Sequence, residues 1–159
     1  MRAAHFLEHT HVLPGLEDRL HTHAHDRAAL KHLQGRKYIL TNAPAAYVQR
    51  VLCALGLECH FDGVLSIEAM SMFGDLRPKP DSRMLRFVAA RLKVKPSRCT
   101  LVEDTLAHQK SARRIGMRTA WMQRYVRSNA HGPEVGVYLH RKPAYVYARI
   151  RSLQKLRKL

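Results

Sequence analysis

Short apolar runs alternate with stretches of helical spacing along most of this chain, and that alternation restricts the fold more than any other feature. Lys37–Thr41 (KYILT), Phe61–Ser66 (FDGVLS), Cys99–Glu103 (CTLVE) and Arg118–Met122 (RTAWM) are short and rich in β-formers, and the first and third are expected to be buried strands. Between them, Tyr47, Val48, Val51, Leu52 and Leu55 recur at helical spacing up to Gly56, with Asn42 or Ala43 as the expected cap and Pro44 in the first turn. Met84, Leu85, Val88 and Leu92 do the same after Asp81, and Leu106–Ile115 runs to Gly116. Gly15–Leu33 has helical spacing ahead of the first strand, and Met72–Pro80 reads as a loop punctuated by Gly74, Pro78 and Pro80. Strands alternating with helices specify an α/β fold, a mostly parallel sheet with helices on both faces. Such sheets bind ligands beyond the carboxyl ends of their strands, so chemistry is sought at the strand tips.

Composition narrows the classes. A chain of 159 residues with 46% apolar content buries a core and is not a disordered tail. No apolar run approaches the roughly 18 residues of a membrane span, and the His-rich start Met1–His11 lacks the pattern of a signal peptide. Cys53, Cys59 and Cys99 are an odd count without metal-type pairing and read as thiols of a reducing cytoplasm. Twenty-eight Lys and Arg against 12 Asp and Glu give +16. That charge attracts nucleic acid or phosphorylated small molecules, or else lies spread over solvated helix faces.

Three strand-tip features carry chemistry. Thr41-Asn42 places a hydroxyl, an amide and a helix start together, which suits a phosphate and equally suits plain capping. Glu103-Asp104 ends an apolar strand with two carboxylates, which calls for a hard cation such as Mg²⁺ or for a salt bridge to one of the many arginines. Lys79 stands between Pro78 and Pro80 just before a helix, a restricted presentation that suits a phosphate-binding point charge as well as a solvated loop lysine.

The order and spacing of KYILTNAP (37–44), FDGVLSIE (61–68), RPKPD (77–81), LVEDT (101–105) and GMRTAWM (116–122) resemble the phosphatase branch of the haloacid dehalogenase superfamily, nearest its pyrimidine 5′-nucleotidase-like group. The resemblance covers residues 5–125 and implies a Rossmann-like core. It implies that Thr41 hydrogen-bonds the phosphoryl group with Asn42 beside it, that Lys79 neutralises charge on the nucleophile and phosphoryl oxygens, and that Asp104 binds Mg²⁺ with Glu103 in support. The implied substrate is a phosphorylated small molecule such as a nucleoside monophosphate. Thr41, Lys79 and Asp104 should then line one cleft.

The chain departs from that family's pattern. The family's attacking aspartate lies in an Asp-x-Asp motif, and these 159 residues contain none. Phe61-Asp62-Gly63 imitates part of it, but His60 stands at the nucleophile position and the segment follows Thr41, so it reads as an ordinary later strand. The central nucleophile strand and most of the helical cap are therefore expected to be missing, leaving Tyr38–Thr41 and Thr100–Glu103 beside a vacancy. Where the family carries Asp or Asn four residues after the metal aspartate, this chain has His108, either a substitute near the site or a surface histidine. The reading divides the chain into residues 1–34, a remnant of the cap and its return helix; 35–125, the α/β core; and 126–159, a basic segment with an edge strand (Ala144–Ile150) and a short helix. His5, His9, His11, His21, His23 and His25 read as adventitious metal binders. The expected function is that of an N-terminally truncated, cytoplasmic, Mg²⁺-dependent phosphatase, inactive alone. The alternative is a non-catalytic module binding RNA or another polyanion through Arg149–Leu159.

Overall fold

The computed structural model describes residues 14–124 and 142–158. The chain forms two units, residues 1–78 and 79–159. No helix among the described residues is long and apolar enough to cross a membrane.

The first unit is built on a β-α-β turn. Strand β1 (Tyr38–Leu40) leads through helix α3 (Ala45–Leu55) to β2 (Gly63–Leu65), and the two strands pair in parallel with Tyr38 opposite Gly63 and Leu40 opposite Leu65. Helix α3 stops where Gly56 turns left-handed at φ 61°, so that the Gly56 and Leu57 amides satisfy the carbonyls of Cys53 and Leu52. Val48 and Leu52 of α3, Leu65, Ile67 and Met70 are buried in this unit, with Ala29 and Leu30. The expected cap is corrected: Pro44 holds the N-cap position without a side-chain bond, and Glu68 from the far side of β2 accepts the Ala45 amide at 3.1 Å. A carboxylate there satisfies an orphan donor and the helix dipole together.

Gly15–Leu33 is not one helix. It forms α1 (Leu16–Arg19) and α2 (Ala24–His32). Leu20 and His23 are extended, and the Thr22 hydroxyl donates to the Leu55 carbonyl at 2.7 Å. That long-range bond closes the carboxyl end of α3, and helical spacing alone does not reveal it. Met72–Pro80 is not wholly loop either, because β3 (Ser71–Met72) and β4 (Asp75–Leu76) form a small antiparallel hairpin with the fully exposed Phe73 at its tip.

The second unit repeats the β-α-β plan. Helix α4 (Ser82–Arg91) is capped by Asp81, whose Oδ1 accepts the Arg83 and Met84 amides, and it buries Met84, Leu85, Val88 and Ala89. Strand β5 (Thr100–Glu103) leads through α5 (Leu106–Arg114) to β6 (Arg118–Met122), and β7 (Ala148–Ile150) adds a third parallel strand in the order β5-β6-β7. Among the described residues β7 is the other edge of this sheet, formed only from Ala148 of the expected Ala144–Ile150, and a 3-10 segment over Leu153–Lys158 follows it. Trp121, Leu106 and Val146 form the unit's core cluster. Most of residues 126–142 lies outside the described residues, as do His5, His9 and His11.

The strands expected to be buried are only partly so. All three residues of β1 are half-exposed, and Val102 of β5 remains 36% exposed. Among the described residues β5 is an edge of its three-stranded sheet and β1 an edge of its two-stranded one. An inner-strand sequence at an edge keeps its apolar side chains in solvent.

Candidate active site

The carboxyl end of β5 gathers the second unit's polar chemistry. The Lys79 ammonium donates to Glu103 Oε2 at 2.6 Å, with both side chains only 10% exposed. Nδ1 of His108, in the first turn of α5, lies 3.1 Å from the same oxygen. His108 is thus tucked against the strand tip and is not a surface histidine. Glu103 Oε1 accepts the Asp104 and Thr105 amides at 3.2 and 3.4 Å. Burial pushes the Glu103 carboxyl up, but His108, Asp104 and the Lys79 ammonium outweigh it and hold the group well below the usual carboxylate range. Asp104 moves the other way, raised by its contact with Glu103, by burial and by the Glu103 charge. A cavity of about 250 Å³ adjoins this tip, lined by Val102, Glu103, Asp104 and Met122.

Buried supports fix the tip. The Gln109 amide donates to the Glu103 carbonyl at 2.6 Å and the Ala120 carbonyl at 3.0 Å, holding the ends of β5 and β6 together. The Trp121 indole donates to the Asp104 carbonyl at 2.8 Å, and the Ser111 hydroxyl donates to the Pro80 carbonyl beside Lys79. Sequence reasoning missed all three. The available signal was a glutamine and a serine on the inner face of α5 and the chain's single tryptophan.

In the first unit, Thr41 and Asn42 follow β1 at its carboxyl end. The Thr41 amide donates to the Leu65 carbonyl and its Oγ1 accepts the Ala43 amide at 3.1 Å, a local turn that shapes the chain into α3. Asp62 lies at the opposite end of the same strand pair, where its Oδ2 accepts the Lys37 amide at 2.6 Å and its own amide donates to the Lys37 carbonyl. It is a strand tie, in keeping with its reading as part of an ordinary strand.

A sequence profile described as haloacid dehalogenase-like hydrolase matches residues 3–116. The chain belongs to this family. Solved structures share the fold of this haloacid dehalogenase-like hydrolase. A conserved haloacid dehalogenase-like protein of unknown function from Agrobacterium tumefaciens is 21% identical with a TM-score of 0.71, covering 99% of this chain and 68% of its own. The L-2-haloacid dehalogenase of Xanthobacter autotrophicus is 21% identical with a TM-score of 0.67, covering 91% and 63%. A haloacid dehalogenase-type phosphatase from Thermococcus onnurineus is 22% identical with a TM-score of 0.60, covering 99% and 64%. The chain thus spans about two thirds of the length of these structures. No curated protein matches its sequence.

The hydrolases of this family generally use Mg²⁺. Asp104 fits as one carboxylate ligand, because its negative charge is penalised by Glu103 and by burial, the condition a divalent cation relieves. Glu103 stands beside it in a supporting place, its Oε2 holding the Lys79 ammonium and its Oε1 accepting the Asp104 and Thr105 amides. No group of three or more metal-ligating side chains occurs among the described residues.

Proposed function

We propose that this hydrolase is the phosphoryl-handling part of a Mg²⁺-dependent phosphatase acting on phosphorylated small molecules such as nucleoside monophosphates. The observation that carries the reading is the Lys79 ammonium, fixed by Glu103 beside Asp104 at the carboxyl end of β5. A phosphoryl group carries dense negative charge that must be neutralised as it transfers, so a rigid lysine and a cation-binding aspartate belong together there. In this reading Lys79 contacts phosphoryl oxygens, Glu103 orients Lys79, and Asp104 is a Mg²⁺ ligand whose other positions are filled by water and the phosphate. Bound Mg²⁺ supplies charge neutralisation. The Asp-x-Asp motif of the phosphatase pattern has no counterpart in these 159 residues, and this reading therefore expects little turnover from the chain as given.

The purified chain should not hydrolyse p-nitrophenyl phosphate or nucleoside 5′-monophosphates with Mg²⁺. A protein extended at its amino terminus by an Asp-x-Asp strand should, and Asp104→Asn should then remove most of the turnover. Mg²⁺-independent chloride release from 2-chloropropionate by the extended protein, without phosphatase activity, would assign it to dehalogenation instead. Turnover by the short chain that survives both Asp104→Asn and chelation would show that other residues do the chemistry.

A further inference from the structure

The +16 charge is not shared between the two units. Residues 79–159 hold 20 Lys and Arg against 4 Asp and Glu, a net +16, whereas residues 1–78 hold 8 against 8. Four carboxylates cannot pair with twenty cations, and three of them are committed: Asp81 to the cap of α4, Glu103 to Lys79, and Asp104 to the strand tip.

The topology gathers many of these cations at one end of the sheet. Its three strands are parallel, so their starting residues share one edge and the Lys79–Glu103–Asp104 tip stands at the other. Lys95 and Arg98 precede β5, Arg113 and Arg114 close α5 just before β6, Arg118 opens β6, and Lys142 precedes β7; all are exposed. Two backbone bonds and one side-chain bond hold the row together. The Arg118 amide donates to the Cys99 carbonyl at 3.0 Å, the Tyr147 amide to the Thr119 carbonyl at 3.1 Å, and the Lys142 ammonium to the Tyr147 carbonyl at 2.8 Å. An aromatic ring lies within the row: Tyr147 is 48% exposed, with the Arg118 guanidinium 5.7 Å from its centroid.

We propose that this amino-terminal edge of the β5-β6-β7 sheet binds single-stranded nucleic acid, with Arg98, Arg113, Arg114 and Arg118 on phosphates and the Tyr147 ring stacking on a base. Solvated charge by itself needs neither a common edge nor an exposed ring. Cations along a backbone track with an aromatic platform beside them are how sequence-tolerant single-strand binding is built. The surface does not depend on the phosphatase reading, because it uses none of the residues at the carboxyl edge.

The test is fluorescence anisotropy of a labelled twelve-residue oligouridine RNA with the 159-residue chain, titrated from 50 to 200 mM salt. Four phosphate contacts give a log–log slope of about −3, an affinity loss of roughly 50-fold over that range. Arg98→Gln, Arg113→Gln and Arg118→Gln together should flatten the slope by about 2. Tyr147→Ala should weaken binding at least about fivefold at unchanged slope, and Tyr147→Phe should restore it. Arg151→Gln, Lys155→Gln and Arg157→Gln, at the other end of β7, should leave the slope unchanged. Trp121 fluorescence and the thermal midpoint report whether each variant is folded. A slope shallower than about −1 overturns the proposal. So does a slope flattened by the second triple and not the first, or a Tyr147→Ala loss that is equal for heparin, which has no bases to stack.

Discussion

Replacing Glu103 with glutamine tests whether the strand tip is held by charge. The substitution keeps the shape and one acceptor for Lys79 but leaves an ammonium, in a site where both side chains are 10% exposed, without its counter-charge. Breaking a buried ion pair from one side costs about 3–5 kcal/mol, and the retained acceptor brings the expected loss to about 2–3 kcal/mol. In a chain of this size that lowers the thermal midpoint by roughly 5–10 °C. Urea unfolding followed by Trp121 is a direct readout, because the buried indole bonds the Asp104 carbonyl next door. Lys79→Met on the Glu103→Gln background should recover most of the loss, since it removes the stranded charge. The sign with pH follows from the lowered carboxyl. Burial opposes its ionisation, but His108, Asp104 and Lys79 favour it more strongly, so the stability it contributes is present above the unfolded value of 4.5 and lost as pH falls below that value. The gap between wild type and Glu103→Gln should be widest above about pH 5 and close toward pH 3. A loss under about 1 kcal/mol at pH 7, or a coupling with Lys79 under about 0.5 kcal/mol in the double-mutant cycle, would refute the reasoning.

Other outcomes follow from the same tip and from the strand ends. Asp104→Asn should raise the metal-free unfolding free energy slightly, by up to about 0.5 kcal/mol once solvent screening is allowed for, because the Asp104 carboxyl is held in a form disfavoured by Glu103. The same substitution should erase any stabilisation of the wild-type chain by 10 mM Mg²⁺, seen as a shift in thermal midpoint. Gln109→Leu should cost about 2–3 kcal/mol in urea unfolding, since two buried carbonyls on adjacent strands lose their donor. Asp62→Ala should cost about 1 kcal/mol through the lost Lys37 amide contact and should leave the activity of an Asp-x-Asp-extended protein unchanged.

The α/β class was legible because strand and helix periods differ and the chain states both in turn: the ranges of β6, α4 and α5 follow the apolar spacing closely. Lys79 and Asp104 were legible because prolines, a strand end and paired carboxylates are local signals. Local signals do not say what a side chain meets across the fold. Tertiary structure alone set the Lys79–Glu103 bond, which makes Glu103 the partner of the lysine, and it alone placed His108, Gln109 and Trp121 around them. It likewise broke Gly15–Leu33 through Thr22 and moved the α3 cap from Asn42 or Ala43 to Pro44 and Glu68, each through a partner more than 20 residues away. The charge shows the same division. The excess of 16 is a property of composition, and its gathering along the starting edge of three strands is a property of the parallel register, which brings Arg98, Arg118 and Lys142 together from separate stretches of chain.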